Sequence, residues 1–117
     1  MEEGRSTPQD KWIVAANLEE VPPGSVKGIE LEGRDLALSN VEGTIYCTEN
    51  VCSHAYALLS DGWLEGTVLE CPLHGGQFDV VTGNALCAPV TEPLVVYRTR
   101  TIDNRIEVLI SDQAPPA

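Results

Sequence analysis

Two short segments contain both histidines of the chain and two of its four cysteines. They are Cys52-Ser53-His54 and Cys71-Pro72-Leu73-His74. Each segment offers one thiolate and one imidazole within a few residues, and both groups are common ligands of transition metals. Ligation explains this placement of a scarce residue type better than chance does. The two segments therefore predict a bound metal centre, and with it a redox function.

The spacing of these residues bears on the kind of metal. The order is C-x-H, then sixteen residues, then C-x-x-H. Two cysteines and two histidines could bind tetrahedral zinc, but zinc sites of this composition mostly place both cysteines in one half and both histidines in the other. Here each half supplies one of each. The pattern favours two bridged metals, with the cysteines on one iron and the histidines on the second.

The motif extends beyond the four candidate ligands. The run from Cys71 to Asp79, CPLHGGQFD, is followed by Thr82-Gly83. In these residues the sequence resembles the Rieske family of iron-sulfur proteins, and the likeness covers nearly the whole chain outside its two tails. The resemblance implies one Rieske 2Fe-2S cluster per chain. It also implies the ligand set Cys52, His54, Cys71 and His74.

The pattern of apolar residues predicts an all-β chain, because short strands alternate with turn residues and no helical period is sustained. A short helical turn is predicted at Leu18-Glu19-Glu20. Hairpin turns are predicted at Val41-Glu42-Gly43, Glu65-Gly66 and Asp103-Asn104. The predicted strands are 12–16, 25–31, 36–40, 44–48, 63–64, 67–70, 77–81, 94–101 and 105–110.

The resemblance implies how these strands are arranged. We expect a single Rieske domain over residues 1–117, built as an antiparallel sheet sandwich with a small cluster-binding subdomain at about 44–88. Pro89 with Val90 to Pro93 would form a third loop over the cluster. Residues 112–117, with Pro115-Pro116, are predicted to be a loose tail.

The charge distribution limits the possible partners. The net charge is -11, and the segment between Arg34 and Arg98 has eight acidic residues and no lysine or arginine. Nucleic acid is therefore excluded as a partner, since its phosphates would be repelled. The acidic residues have two interpretations: a solvated surface, which accounts for most of them, and a docking field for basic partners. No apolar run is long enough to span a membrane and the first ten residues are acidic and polar, so we expect a cytoplasmic protein.

The remaining cysteines, Cys47 and Cys87, lie in apolar, strand-like surroundings. We expect both to be small buried residues rather than ligands. A disulfide between them is the alternative.

Four positions bear on the reduction potential. High-potential Rieske proteins carry a disulfide between the two ligand loops, and this sequence has Ala57 and Leu73 at those positions. Such proteins also carry a serine and a tyrosine whose hydroxyls donate to the cluster, and this sequence has Gly76 and Phe78 there. Fewer donors disfavour the more negative reduced state. We therefore expect a potential near the bottom of the Rieske range, on the order of -150 mV.

The combination of small size, low potential and no second cofactor site resembles the ferredoxin component of bacterial aromatic-ring-hydroxylating dioxygenase systems. The resemblance implies an electron carrier that passes single electrons from a flavin-containing ferredoxin reductase to a terminal oxygenase, and it implies a monomer. No catalytic residues are expected, because no histidine remains for a mononuclear iron site. Three alternatives stay open: a Rieske-like small subunit of an assimilatory nitrite reductase, a zinc-stabilised β interaction module, and a carrier for other oxygenases such as demethylases.

Overall fold

The structure is a computed structural model that describes residues 11–52, 57–73, 75–87 and 92–110. Most of these residues lie in strands, and two single turns of 3-10 helix occur at Leu18–Glu20 and Leu59–Asp61. The predicted helical turn is thereby confirmed. The strands are β1 Lys11–Asn17, β2 Val26–Leu31, β3 Arg34–Val41, β4 Thr44–Glu49, β5 Trp63–Glu65, β6 Val68–Glu70, β7 Gln77–Asp79, β8 Ala85–Cys87, β9 Val96–Tyr97, β10 Thr99–Ile102 and β11 Arg105–Ile110.

Within the described residues, the strands form three sheets in which every pair is antiparallel. The first sheet has the order β1-β11-β10, the second β2-β3-β4-β9 and the third β5-β6-β7-β8. The all-β prediction is confirmed. The third sheet comes from the middle of the chain, whereas the first is built from its two ends.

The second sheet lies between the other two. Side chains alternate between the two faces of a strand, and the two faces of this sheet contact different cores. Leu38 and Cys47, paired across β3 and β4, lie in a core shared with β1 and β11. Val41 and Tyr46 contact a separate core that contains residues of the third sheet. Buried residues of the first core are Ala16, Val21, Leu36, Leu38, Ile45, Cys47, Ile106, Val108 and Ile110.

Two-residue turns join three of the hairpins. Glu32-Gly33, Glu42-Gly43 and Asp103-Asn104 all have positive φ at both positions, as type I′ turns require. The predicted turns near residues 42 and 103 are confirmed, and the turn at Glu32-Gly33 was not predicted. The right-handed twist of the paired strands favours this turn type, so these short loops fix the register of the first two sheets.

The other hairpin is shifted by one residue from its prediction. Glu65 pairs with Val68, so the turn residues are Gly66-Thr67 rather than Glu65-Gly66. Gly66 has a φ of +61°, a conformation that glycine adopts without a steric penalty.

The predicted strand 94–101 is wrong as a single strand. Val96–Tyr97 pairs with β4 in the second sheet, and Thr99–Ile102 pairs with β11 in the first. The chain crosses between the sheets at Arg98, whose carbonyl accepts a hydrogen bond of 2.9 Å from the backbone N–H of Leu109. The alternation of exposed and half-buried residues continues through the crossing from Val96 to Arg100.

The predicted strand 77–81 is shorter in the structure, because β7 ends at Asp79. The Asp79 carboxylate accepts a hydrogen bond of 2.8 Å from the backbone N–H of Val81, which starts a turn there. Three predicted segments lie outside the described residues, wholly or in part. They are residues 1–10, residues 89–91 of the third loop (89–93) and the tail (112–117).

Candidate metal centre

The first candidate ligand loop begins at Cys52, which follows the end of β4 after two residues, Asn50 and Val51. Its ends are joined by a hydrogen bond of 2.9 Å from the backbone N–H of Cys52 to the carbonyl of Ala57. An isolated antiparallel bridge between Val51 and Leu58 lies one step further from the loop. His54 is outside the described residues, but the loop that carries it is thereby fixed at its base.

The second candidate ligand loop connects β6 to β7 and is closed in the same way. The backbone N–H of Cys71 donates to the carbonyl of Gly76 at 2.7 Å, again five residues ahead. Below it, Glu70 and Gln77 are directly paired across the two strands. His74 is outside the described residues. Both segments singled out by the sequence therefore begin with a cysteine whose backbone closes a short loop.

The two cysteines at these loop bases are buried together. Cys52 is 3% exposed and Cys71 is 1% exposed, and neither forms a disulfide. Both belong to the second core, whose buried residues are Cys52, Leu59, Leu69, Cys71, Phe78, Val80 and Leu94. A shared core position brings the two thiols to one place although 18 residues separate them along the sequence.

The Cys52 thiol also affects the pKa of the Cys71 thiol. Burial raises the pKa of the Cys71 thiol most, the backbone N–H of Leu73 lowers it, and the adjacent Cys52 thiol raises it through a hydrogen bond and its charge. Two buried thiols in contact, with a backbone N–H directed at one of them, fit a shared iron, since a metal stabilises thiolates that burial alone disfavours. The donor set therefore fits the implied iron-sulfur group.

The buried Asn50, which precedes the first ligand loop, is hydrogen-bonded to the 3-10 turn that follows the loop. Asn50 donates from Nδ2 to the Ser60 hydroxyl at 2.9 Å and accepts from the Ser60 backbone N–H at Oδ1 at 2.8 Å. Its carbonyl also accepts from the backbone N–H of Leu59 at 2.7 Å. Gly28 of β2 leaves the space for this group, because a Cβ there would lie 2.6 Å from the Ser60 hydroxyl. The 3-10 turn after the loop is thus docked on the edge of the second sheet.

A glycine brings the same turn against the second loop. A Cβ at Gly62 would overlap the carbonyl oxygen of Glu70 and lie 3.1 Å from Cδ of Pro72. These two residues flank Cys71. The absent side chain therefore allows the backbone after the first ligand loop to pack directly on the backbone that positions the second cysteine.

The residues that follow the third loop are hydrogen-bonded to β4 of the second sheet and to the turn between β7 and β8 of the third sheet. The backbone N–H of Leu94 donates to the Gly83 carbonyl at 2.8 Å, and the Val95 N–H donates to a carboxylate oxygen of Glu49 at 2.9 Å. Gly83 has a φ of +83°, and a Cβ there would lie 2.9 Å from Cγ2 of Val96. This turn needs glycine for its conformation and for the close approach.

The positions relevant to reduction potential carry no hydroxyl and no second pair of cysteines. Phe78 is completely buried in the same core as Cys52 and Cys71. Gly76 is buried, and Leu73 is 42% exposed. The phenyl ring contributes apolar packing here and offers no hydrogen bond to sulfur.

The prediction that Cys47 and Cys87 are both buried is half correct. Cys47 lies in the first core, where burial raises the pKa of its thiol to about 12. Cys87 is exposed at the end of the short edge strand β8, where it pairs with Gln77 and its thiol lies 3.9 Å from the Gly75 carbonyl oxygen. Both are free thiols, so the alternative of a disulfide between them is wrong.

Comparison with known proteins agrees with this arrangement. The protein-family model of the Rieske [2Fe-2S] domain matches residues 11–99 of this chain. The chain belongs to the Rieske family. This Rieske protein is 51% identical over 102 residues to the naphthalene 1,2-dioxygenase system ferredoxin component of Pseudomonas aeruginosa, covering 87% of this chain and 98% of that one.

Solved structures show the same similarity. The Sphingomonas yanoikuyae B1 ferredoxin is 33% identical with a TM-score of 0.80, over 84% of this chain and 97% of that one. A chain in a complex of reduced oxygenase and oxidized ferredoxin in carbazole 1,9a-dioxygenase is 36% identical with a TM-score of 0.79, over 83% and 91%. The predictions of a Rieske fold, a Rieske 2Fe-2S cofactor and an electron-carrier role are confirmed. Within the described part of the chain, no helix is long and apolar enough to cross a membrane.

Sequence reasoning missed the residues that support the loops. Asn50, Ser60 and Gly62 carry no recognisable ligand spacing, and their roles depend on contacts between segments that are separated along the sequence. One signal was available: Gly62 follows a short helical turn and precedes a strand, where a glycine indicates a close backbone approach.

Proposed function

We propose that this protein carries single electrons from a flavin-containing ferredoxin reductase to the terminal oxygenase of an aromatic-ring-hydroxylating dioxygenase system. The observation that carries the proposal is the pair of buried free thiols, Cys52 and Cys71, in contact at the bases of two identically closed loops. The cofactor, when bound, supplies one-electron chemistry at a potential that neutral imidazole ligands raise. The chain supplies the pocket and the position.

We further propose that Cys52, His54, Cys71 and His74 are the four ligands, and that the cluster-binding subdomain spans about 44–88. The histidines follow their cysteines by two and three residues, so each lies within a loop whose base is already closed. In this arrangement the two thiols lie in the second core. Leu58 and Leu73, each 42% exposed, lie in the two ligand segments and shield the centre from water.

Isotopic labelling tests the ligand assignment directly. The chain has two histidines, so 15N-histidine labels only the proposed ligands. We expect hyperfine coupling to two nitrogens in the reduced protein, and coupling to one fewer labelled nitrogen in any His54 or His74 variant that still holds iron. Cys87→Ser is the matched control and should retain iron and acid-labile sulfide. Absence of nitrogen coupling in the wild-type protein would contradict the assignment.

Reconstitution tests the electron-carrier role. A reductase and an oxygenase of an aromatic dioxygenase system are combined with this protein, and NADH consumption is followed together with hydroxylated product. We expect both NADH consumption and product formation to depend on this protein. We also propose that the protein is cytoplasmic and monomeric. Stable association with a large sirohaem subunit would instead support the nitrite reductase alternative, and zinc without iron or sulfide would support the interaction module.

The reduction potential and the salt dependence of transfer are expected outcomes of the same proposal. A cluster without hydroxyl donors at positions 76 and 78 should have a potential on the order of -150 mV by protein-film voltammetry. A value well above zero contradicts this. If the acidic segment steers partners, higher ionic strength should slow transfer to the oxygenase. Second-order rates that do not change with salt contradict acidic steering.

A further inference from the structure

The carboxylate of Glu70 is held at the base of the second ligand loop. Glu70 is the last residue of β6 and immediately precedes Cys71. Its Oε1 accepts a hydrogen bond of 3.2 Å from Nε2 of Gln77, the residue directly opposite on β7. Both side chains are half-buried. The carboxylate is therefore anchored across the strands that enter and leave the loop.

The second oxygen of this carboxylate is directed toward the loop itself. A Cβ built at Gly75 would lie 3.5 Å from Oε2 of Glu70. Gly75 has a φ of +71° and follows His74, so the carboxylate lies against the backbone beside one proposed ligand and next in sequence to another. One oxygen is thus held by Gln77 and the other faces the segment that binds the metal.

We propose that Glu70, positioned by Gln77, is a fixed charge that lowers the reduction potential of this centre. The inference rests on the proposed ligand assignment and goes beyond it. Reduction adds one negative charge at the ligand loops, and a carboxylate held beside them disfavours that charge by Coulomb repulsion. Repulsion is screened least where the charge is partly buried, as it is here. Among the described residues the Glu70 carboxylate is hydrogen-bonded to Gln77, so Glu70 acts as an electrostatic residue and Gln77 as a positioning residue rather than as ligands.

Glu65 provides a matched control for the charge. It lies two residues from Trp63, the partner of Glu70 on β5, and therefore on the same face of the third sheet. Glu65 is exposed and adjoins the Gly66-Thr67 turn, at the end of the hairpin away from the ligand loop. Glu65→Gln removes the same formal charge from the same sheet, but at a greater distance and in better contact with water.

The test compares midpoint potentials and electron paramagnetic resonance spectra of the holoprotein and its variants. Glu70→Gln should raise the potential by at least twice the shift of Glu65→Gln, with unchanged g values. Equal shifts in the two variants, or no shift in Glu70→Gln, would overturn the proposal. A changed g tensor would also overturn it, since that indicates altered ligand geometry rather than charge.

A double-mutant cycle tests the part played by Gln77. Gln77→Met removes the donor, so the carboxylate can turn toward water and the potential should rise, by less than in Glu70→Gln. In the Glu70→Gln background the same substitution should cause no further rise. Equal effects in both backgrounds would overturn the positioning role. If Glu70→Gln fails to take up iron and sulfide, Gln77→Met alone decides, and an unchanged potential overturns the proposal.

The wild-type spectrum separates this inference from the proposed function. A reduced wild-type protein without a Rieske signal contradicts the proposed function, whatever the variants show. A wild-type protein with that signal, in which Glu70→Gln and Glu65→Gln shift the potential equally, contradicts only the role of Glu70.

Discussion

Gly62→Ala should separate cluster binding from overall folding, because the glycine packs on the backbone that positions Cys71. Its φ of -88° and ψ of -142° are not in the left-handed region, so alanine adds no strain of the positive-φ kind. The cost is steric. The new methyl would overlap the Glu70 carbonyl oxygen and lie 3.0 Å from the Glu70 carbonyl carbon, both in backbone that cannot rotate away. Overpacking of this kind costs roughly 1–3 kcal/mol, and backbone contacts place this site toward the upper end.

The effect on the metal centre should exceed the effect on stability. Relief of the overlap requires movement of the Glu70 carbonyl and with it Cys71, whereas metal–ligand distances tolerate only about 0.2 Å. We expect Gly62→Ala to fold but to bind much less iron and acid-labile sulfide per chain. Both are measured chemically, alongside the free energy of unfolding in denaturant.

Gly66→Ala is the matched control for this prediction. Its φ is +61° and no atom lies within 4 Å of the new Cβ, so it strains the backbone without moving a ligand loop. A left-handed alanine costs about 1–2 kcal/mol. We expect similar destabilisation in the metal-free forms of the two variants and near wild-type iron in Gly66→Ala. Wild-type iron content in Gly62→Ala would refute the argument that this contact positions Cys71.

Three further outcomes follow from the buried and exposed groups. Phe78→Tyr places a hydroxyl in the core that contains both cysteines, and one neutral hydrogen bond of about 1 kcal/mol to the reduced state should raise the potential by about 40 mV in voltammetry; an unchanged potential would show that the hydroxyl does not reach sulfur. Iodoacetamide at neutral pH should modify Cys87 in the native holoprotein and leave Cys47 unmodified, as peptide mass mapping would reveal. Because burial raises the pKa of Cys47 from 9.0 to about 12, the unfolded chain loses this proton first, and the free energy of unfolding should fall as pH rises through that window; Cys47→Ala should lack this part of the fall.

Local patterns were sufficient to predict most of the strands. The strand Arg105–Ile110 and the turn at Asp103-Asn104 follow from alternation and from residues that tolerate positive φ. The division of 94–101 into two strands could not be predicted in this way. Residues on both sides of Arg98 keep the same alternation, and only the position of two different partner strands decides where one sheet ends and the next begins.

The candidate ligands could be predicted because ligation requires particular side chains at short spacings. The groups that hold the loops have no such requirement. Asn50 looks like an ordinary polar residue in the sequence, and its role depends on Ser60, whose hydroxyl lies 2.9 Å from Asn50 Nδ2. Gly62 looks like an ordinary turn glycine, and its role depends on the Glu70 backbone that packs against it. Their partners are ten and eight residues further along the chain. Such contacts depend on the completed packing, so a single sequence does not reveal them.

The second core explains why ligand loops and fold are coupled. Cys52 and Cys71 are not appended to this core but form part of its buried surface, together with Leu59, Leu69 and Phe78. Strands of the third sheet have only three residues each, so a small number of apolar contacts holds them. A metal bound to both cysteines would join the loop after β4 to the hairpin of β6 and β7, two segments that this core otherwise connects by packing and by the contact between the two thiols. Binding free energy at such a site is also folding free energy, which makes the centre a structural element of the third sheet as well as its redox group.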